Sequence, residues 1–280
     1  MKDRFPCRLA LLLLVISVTL NSHAIITRHD NGISRYVIDA SLYPAVFYLE
    51  EQGSRKVCVA TLIHESWAIT AAHCGQETSL ARSLQDESRF AVTLAGRAQI
   101  IDRMVVHPEY GEDSVNDVDL ALLHFSEPVP FPRPIPLHLS DDELGKTVSI
   151  LGWGFYGLGT TGREYDDGKL RLAQNRITRA EGMLQFEFED PRLSANQALD
   201  LEGVPGLGDS GGPALIETAS GQFLAGVAVG ELVTAGFSEE TQGKYGAVAV
   251  YERISSHLDW IGQIVGTGLA GVTPEGQKTD

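Results

Sequence analysis

The feature that most constrains the fold is a series of short segments rich in β-branched and aromatic residues. They lie at residues 43–49, 57–63, 117–125, 147–154, 183–189, 223–230 and 245–254. Glycine, proline and acidic clusters separate them, a pattern typical of antiparallel strands joined by turns. Only Leu258, Ile261, Ile264 and Val265 recur at helical spacing. The sequence therefore predicts an all-β protein that ends in a helix.

A proline-rich stretch divides this series of strands. Its prolines are Pro128, Pro130, Pro132, Pro134 and Pro136. Proline cannot donate a hydrogen bond to a sheet and prefers an extended path. We therefore predict two β units, at residues 25–127 and 138–265, joined by a stiff connector at 128–137. Residues 266–280 are rich in Gly, Thr and charge, and are predicted to be a flexible tail.

The first 24 residues have the pattern of a secretory signal. Three basic residues precede an apolar run over residues 9–20, and the small residues Ser22 and Ala24 follow. The run is too short to span a bilayer, and small residues are what a signal peptidase requires. We expect cleavage after Ala24, a secreted or periplasmic location and no stable membrane insertion afterwards. An uncleaved anchor is the alternative.

Charge excludes some classes of partner. The formal net charge is -15 at pH 7. Such an acidic surface repels nucleic acid and anionic lipid, so we expect neither as a partner.

The cysteines predict one disulfide. Cys7 lies in the predicted signal, which leaves Cys58 and Cys74 in an oxidising compartment. An even pair there is expected to form a disulfide. The loop of about 15 residues that it closes corresponds to about 3 kcal/mol of stabilisation.

The sequence GDSGG at residues 208–212 surrounds Ser210 with an acid and glycines. Alone it fits the loose pattern G-x-S-x-G, which also marks the nucleophile of α/β-hydrolases. An α/β-hydrolase would place its acid and histidine after the serine and alternate strands with helices. Only His257 lies downstream here, and the segments after Ser210 have mostly strand character, so this alternative is disfavoured.

Two further motifs supply what that alternative lacks. Residues 67–75 run from a short strand into small residues and end in His73 beside Cys74. Residues 116–125 place Asp119 at the head of an apolar strand, where a carboxylate is partly desolvated and able to hold an imidazole. Asp117 competes with Asp119, and we interpret it as a turn-capping residue.

Taken together, TAAHC (70–74), DLAL (119–122) and GDSGGP (208–213), in this order, resemble the chymotrypsin/trypsin family of serine peptidases. VHPEY (106–110) and GWG (152–154) support the resemblance, and GLGTTG with LRLAQNRI is similar to bacterial secreted members. The resemblance implies two six-stranded antiparallel β-barrels of the trypsin-like type with a C-terminal helix. It also implies polypeptide substrates, protein inhibitors as further partners, and no cofactor.

The resemblance implies catalytic roles for three side chains and two backbone groups. Ser210 would form an acyl-enzyme, His73 would transfer its proton, and Asp119 would orient His73. The backbone N–H groups of Gly208 and Ser210 would form the oxyanion hole.

The remaining acid of the loop, Asp209, would be buried and would need a cation. The resemblance implies that the new amino terminus of the processed chain provides it. Cleavage after Ala24 would expose Ile25, so we expect an Ile25–Asp209 salt bridge and maturation by signal removal itself.

The resemblance also implies a specificity pocket. Its expected substrate-binding residues are Val204, Ala228, Val229 and Gly230. Val204 stands where a trypsin carries aspartate, and Ala249 on the far wall is also small and apolar, which favours an uncharged P1 residue. Glu202 and Glu231 lie near these walls in sequence, and either could instead receive a basic P1. The main chain at 228–230 is expected to pair with substrate as a strand.

The sequence bears on two other possibilities, a metal site and a catalytically inactive protein. No metal site is predicted, because the sequence contains no HExxH, and Glu112, Asp113 and Asp117 are interpreted as a solvated loop. A catalytically inactive family member used for binding is the alternative to a peptidase.

Overall fold

The computed structural model describes residues 25–111, 117–193, 197–232 and 242–266. The predicted signal at residues 1–24 and residues 267–280 of the predicted tail lie outside the described residues, as do Glu112 and Asp113 of the acidic loop. Within these described ranges, no helix is both long and apolar enough to cross a membrane.

Strands dominate the described chain. They are β1 (Ile25–Thr27), β2 (Val46–Gln52), β3 (Arg55–His64), β4 (Trp67–Thr70), β5 (Phe90–Leu94), β6 (Arg97–Val106), β7 (Ala121–Phe125), β8 (Thr147–Gly152), β9 (Tyr156–Leu158), β10 (Gly162–Tyr165), β11 (Arg171–Arg176), β12 (Met183–Glu187), β13 (Gly203–Val204), β14 (Pro213–Thr218), β15 (Gly221–Glu231) and β16 (Val248–Arg253). The α-helices are α1 (Cys74–Glu77), α2 (Leu80–Gln85) and α3 (Leu258–Val265). The predicted terminal helix is thus confirmed. The expectation that only the end is helical is wrong, because α1 and α2 are too short to give a periodic signal.

Two six-stranded antiparallel sheets form the body of the protein. The first has the strand order β2-β3-β4-β7-β6-β5, and contacts between β2 and β5 close it. The second has the order β11-β8-β14-β15-β16-β12, and contacts between β11 and β12 close it. The predicted all-β fold of two six-stranded barrels is confirmed.

Apolar side chains from both barrels meet at one interface. One buried cluster includes Leu62 and Leu122 of the first barrel together with Val227 and Ile254 from the second half. A second cluster lies within the second barrel and includes Phe186. Because burial of each such side chain contributes about 1.5–3 kcal/mol, the interface holds the barrels together and fixes the cleft between them.

The proline-rich stretch runs along both barrels. The backbone N–H of Val129 donates to the Glu65 carbonyl at 2.7 Å, and that of Ile135 donates to the Leu62 carbonyl at 2.9 Å. At its far end, the Pro136 carbonyl accepts from Leu224 at 2.8 Å.

The segment β1 lies away from the first barrel although it opens the first predicted unit. It pairs in parallel with β9 and antiparallel with β13, within a four-stranded sheet of order β10-β9-β1-β13. Ile25 and Ile26 are fully buried there. The described chain therefore starts next to the loop that contains Ser210.

Candidate active site

His73 and Asp119 come together at the edge of the first barrel. His73 follows β4 and directly precedes α1, and Asp119 lies two residues before β7. The His73 ring is hydrogen-bonded through Nδ1 to Asp119 Oδ2, and the His73 backbone N–H donates to Asp119 Oδ1 at 2.9 Å. Burial lowers the pKa of His73, but the hydrogen bond and charge of Asp119 outweigh it, so that the pKa is raised above its ordinary value.

The competing acid has another partner. Asp117 is exposed, and its Oδ1 accepts a hydrogen bond from the Gly111 backbone N–H at 2.8 Å. The structure therefore brings Asp119, and not Asp117, to the imidazole.

The predicted disulfide joins Cys58 of β3 to Cys74 of α1, with the Cα atoms 5.8 Å apart. It anchors the backbone immediately after His73. In the described chain, Cys58, His73 and Cys74 bring their potential metal-ligand atoms within 4.8 Å of one another. Because the two sulfurs are bonded to each other, neither is the thiolate that would bind a metal.

Ser210 lies in a loop between β13 and β14 that is held from both barrels. On one side the Gly211 N–H donates to the Ala228 carbonyl at 2.7 Å, and the Ala228 N–H donates to the Gly212 carbonyl at 2.8 Å. On the other side Val59 donates to the Ser210 carbonyl at 2.7 Å. These bonds fix the backbone around the serine.

Two glycines of this loop have left-handed backbones that favour glycine. The φ angle is 97° at Gly208 and 80° at Gly211. The Gly208 carbonyl accepts from Cys58 at 3.0 Å and so faces the first barrel. Among the described residues, neither the backbone N–H of Gly208 nor that of Ser210 donates a hydrogen bond. Both groups are therefore available to an incoming oxygen.

Ser210 and His73 line one cleft with a volume of about 300 Å³. Within the part of the chain that the structure describes, no hydrogen bond joins the Ser210 hydroxyl to the His73 ring. Catalytic hydrogen bonds of this kind are often long without substrate and tighten when substrate binds. The two side chains thus share a cleft without being bonded.

The residues expected to bind substrate line the same cleft. They are Val204, Ala228, Val229 and Gly230, together with Ala249. Glu231 also lines it, with Oε2 accepting from the Gly243 N–H at 2.9 Å, and burial raises the pKa of Glu231. Val204 and Ala249 are buried, so the cleft has apolar walls, and two carboxylates, Glu77 and Glu231, are among its lining residues.

The second glutamate proposed for this pocket lies elsewhere. Glu202 is 1% exposed, and its Oε1 accepts from the Glu189 N–H at 2.7 Å, while Oε2 accepts from the Leu199 N–H. Glu202 is not among the residues that line the cleft. The expectation that it could receive a basic P1 residue is therefore wrong, because its carboxylate is already used to hold a neighbouring loop.

Asp209 is buried next to β1. Its carboxylate accepts backbone N–H groups from Gly154 at 2.6 Å and Gly206 at 2.8 Å, and it is also hydrogen-bonded by the Ile25 backbone nitrogen. Burial raises the pKa of Asp209 to about 6, against the lowering effect of these bonds and of the Arg171 charge. The structure thus brings Ile25 and Asp209 together.

Arg171 is a residue of this region that the sequence analysis missed. It is fully buried, and its Nη1 donates to Asp167 Oδ1 at 2.9 Å. Its cross-strand partner is Gly152, where a Cβ atom would lie 1.9 Å from Asp209 Oδ1. Side chains of paired residues share one face of a sheet, so Arg171 faces the Asp209 region. The only sequence signal was a charge between Leu170 and Leu172.

The family model of trypsin matches residues 32–261. The chain is 29% identical over 236 residues to vitamin K-dependent protein C of Oryctolagus cuniculus, an alignment that covers 76% of this chain and 47% of that protein. It is 29% identical over 222 residues to transmembrane protease serine 9 of Rattus norvegicus, covering 75% of this chain and 20% of that protein. The chain therefore spans less than half the length of these relatives.

A solved structure has the same fold. Neuropsin, described as a serine protease expressed in the limbic system of mouse brain, superposes with a TM-score of 0.60 at 20% identity. The match covers 82% of this chain and 98% of neuropsin. At this identity the likeness concerns the fold alone.

Proposed function

The chain belongs to the trypsin family, and on that premise we propose that it is a secreted serine endopeptidase that acts through an acyl-enzyme on Ser210. One observation carries the proposal. The His73 imidazole, hydrogen-bonded to Asp119, lines the same cleft as Ser210, and in the serine loop the backbone N–H groups of Gly208 and Ser210 donate to no acceptor among the described residues.

The proposed mechanism follows from this geometry. With Nδ1 engaged by Asp119, the Nε2 atom of His73 is free to take the proton of the Ser210 hydroxyl as Oγ attacks the substrate carbonyl. The N–H groups of Gly208 and Ser210 stabilise the oxyanion, and each such donor is worth about 3 kcal/mol of barrier. His73 then protonates the leaving amine, and water releases the acyl group by the same steps in reverse.

The primary pocket favours an uncharged P1 residue. Val204 and Ala249 are apolar and buried, and the Glu231 carboxylate already accepts a backbone hydrogen bond from Gly243. A lysine or arginine side chain would therefore meet apolar walls at the base of the pocket.

Cleavage of a peptide library should place uncharged side chains at P1. Val204→Asp should shift the preference toward Lys and Arg, whereas a wild-type preference for basic P1 would contradict this pocket assignment and point to Glu231.

The wider organisation is part of the same proposal. We infer two units at residues 25–127 and 138–265, each with one barrel, with 128–137 as the connector and with β1 of the first unit packed on the second half. We also infer delivery to a secreted or periplasmic location by a signal at residues 1–24. The similarity to bacterial secreted members stays a prediction, since the relatives reported above are mammalian.

Labelling with a fluorophosphonate tests the function directly. We expect covalent modification of Ser210, its loss in His73→Ala, and a fall in turnover of about 10⁶ in Ser210→Ala. The matched control is His124→Ala, because His124 also pairs with an aspartate, Asp102 at 2.7 Å, but lies on β7 away from the cleft. The His124→Ala variant should be labelled by the fluorophosphonate to the same extent as the wild-type protein. An unlabelled wild-type protein would instead support the inactive, binding alternative.

A further inference from the structure

Glu252 of β16 contacts the backbone of the proposed catalytic aspartate from the opposite barrel. Its side chain is 2% exposed, and its Oε1 accepts a hydrogen bond from the Asp119 backbone N–H at 2.9 Å. We propose that Glu252 is a positioning residue, which holds Asp119 in register with the barrel that contains Ser210. This inference rests on the proposed function.

Asp119 depends on such a contact because it lies outside the strand ladder. Its segment precedes β7, which begins at Ala121. Both of its carboxylate oxygens are used by His73, one by the ring and one by the backbone N–H. The bond to Glu252 therefore fixes the main chain of the same residue whose side chain orients the imidazole. A shift of the Asp119 backbone would move its carboxylate away from His73.

The Glu252 carboxylate has a second partner. Its Oε2 lies 3.3 Å from Nε2 of His257, the residue directly before α3. The His257 ring packs against the His107 ring with centroids 5.1 Å apart, and His107 packs against Trp260 at 4.8 Å. An apolar residue would fill such a site at lower desolvation cost than a carboxylate. The presence of a carboxylate at this buried position is explained by the hydrogen bond that it accepts from the Asp119 backbone N–H.

The route from Glu252 to the nucleophile is short and runs through one barrel. Glu252 is the cross-strand partner of Val227 on β15. The next residue, Ala228, exchanges two backbone hydrogen bonds with Gly211 and Gly212 of the serine loop. Asp119 and Ser210 are thus tied to adjacent positions of the same β15–β16 ladder. Glu252 supplies the link that the first barrel needs in order to present His73 to a serine of the second.

Two substitutions separate this role from simple stability. In Glu252→Ala the Asp119 N–H loses its acceptor, and we expect kcat per folded molecule to fall about 10²-fold with KM unchanged, the loss typical of a misplacement of about 1 Å. In Glu252→Gln the amide oxygen can still accept that N–H, so kcat should stay close to wild type. The matched control is Glu143→Ala, which removes another fully buried carboxylate of the second half, bonded to Arg253 and Ser255. It should lower the melting temperature but not kcat.

A proton NMR signal gives a readout that does not need turnover. A strongly hydrogen-bonded imidazole N–H resonates far downfield, and the signal assigned to His73 should be lost in His73→Ala. We expect it to move upfield or broaden in Glu252→Ala and to persist in Glu252→Gln and Glu143→Ala.

The outcomes separate the two proposals. If Glu252→Ala leaves both kcat and the His73 signal unchanged, or lowers kcat no more than Glu143→Ala does, the positioning role is wrong while the peptidase function stands. If the wild-type protein has no turnover but the signal responds to the two Glu252 variants as expected, the positioning role stands and the proposed function fails.

Discussion

Cleavage between Ala24 and Ile25 would change the Ile25 nitrogen from a neutral peptide N–H into an ammonium group beside Asp209. In the uncleaved chain the buried Asp209 carboxylate is held by the N–H groups of Gly154 and Gly206 and by the Ile25 nitrogen. These hydrogen bonds lower the pKa of Asp209, but burial raises it by more, so that the pKa is about 6 and not its ordinary value of 3.8. Ionisation of Asp209 therefore lowers the stability of the folded state in the uncleaved chain.

The magnitude follows from the size of that shift. Because the folded pKa of Asp209 lies above the unfolded one, its contribution to stability is present below pH 3.8 and is lost as the pH rises through about 6. At about 1.4 kcal/mol per pKa unit, the loss is about 3 kcal/mol. An ammonium beside the carboxylate favours its charged form and lowers its pKa, which removes this loss. Because part of this loss has already occurred at pH 4, cleavage should raise the free energy of unfolding at pH 7 by about 2–2.5 kcal/mol more than at pH 4.

Urea denaturation between pH 4 and pH 7 measures this difference. Two proteins are compared, both with Ser210→Ala to prevent self-digestion. In the first, Ala24 still precedes Ile25, so that the Ile25 nitrogen is a peptide N–H; the second begins at Ile25. Asp209→Asn in both proteins is the control and should abolish the pH-dependent part of the difference. Parallel pH profiles for the cleaved and uncleaved proteins would refute the assignment of Ile25 as the cation that offsets Asp209.

Three further predictions concern the imidazole, the aspartate that orients it and the serine loop. His73 must be neutral to accept a proton and its pKa is raised, so kcat/KM should fall with decreasing pH through a midpoint above 6.5. Asp119→Asn should lower kcat about 10⁴-fold at the pH optimum, and a decrease of less than tenfold would contradict the role of Asp119. In Gly211→Ala, where φ is 80° and a Cβ would lie 2.1 Å from the Val59 carbonyl oxygen, both melting temperature and kcat should fall. Gly246 has a similar φ of 89°, but no atom lies within 4 Å of the position that a Cβ would take. Gly246→Ala should therefore lower the free energy of unfolding by only about 1–2 kcal/mol and leave kcat unchanged. If both variants lost the same stability and activity, the clash at Gly211 would be excluded as the cause.

Sequence alone predicted those features that depend on local pattern. Alternating β-branched segments predicted the strands β2, β3, β7, β8, β12, β15 and β16, and helical spacing predicted α3, because both signals repeat within a few residues. The pairing of Cys58 with Cys74 was predictable, since only two cysteines remain outside the predicted signal. The short helices α1 and α2 were missed because a helix of one or two turns has no full period to detect.

Tertiary structure decided which distant groups share a site. Glu202 and Glu231 both lie near the pocket walls in sequence, yet of the two only Glu231 lines the cleft, because the Glu202 carboxylate accepts the backbone N–H groups of Glu189 and Leu199 instead. Arg171 and Glu252 carry no motif, and they come close to Asp209 and Asp119 only through strand register and packing between the barrels. The sequence states which chemical groups are present. Which buried charges face one another depends on long-range pairing, because a carboxylate in an apolar interior is stable only where the fold delivers a donor or a cation.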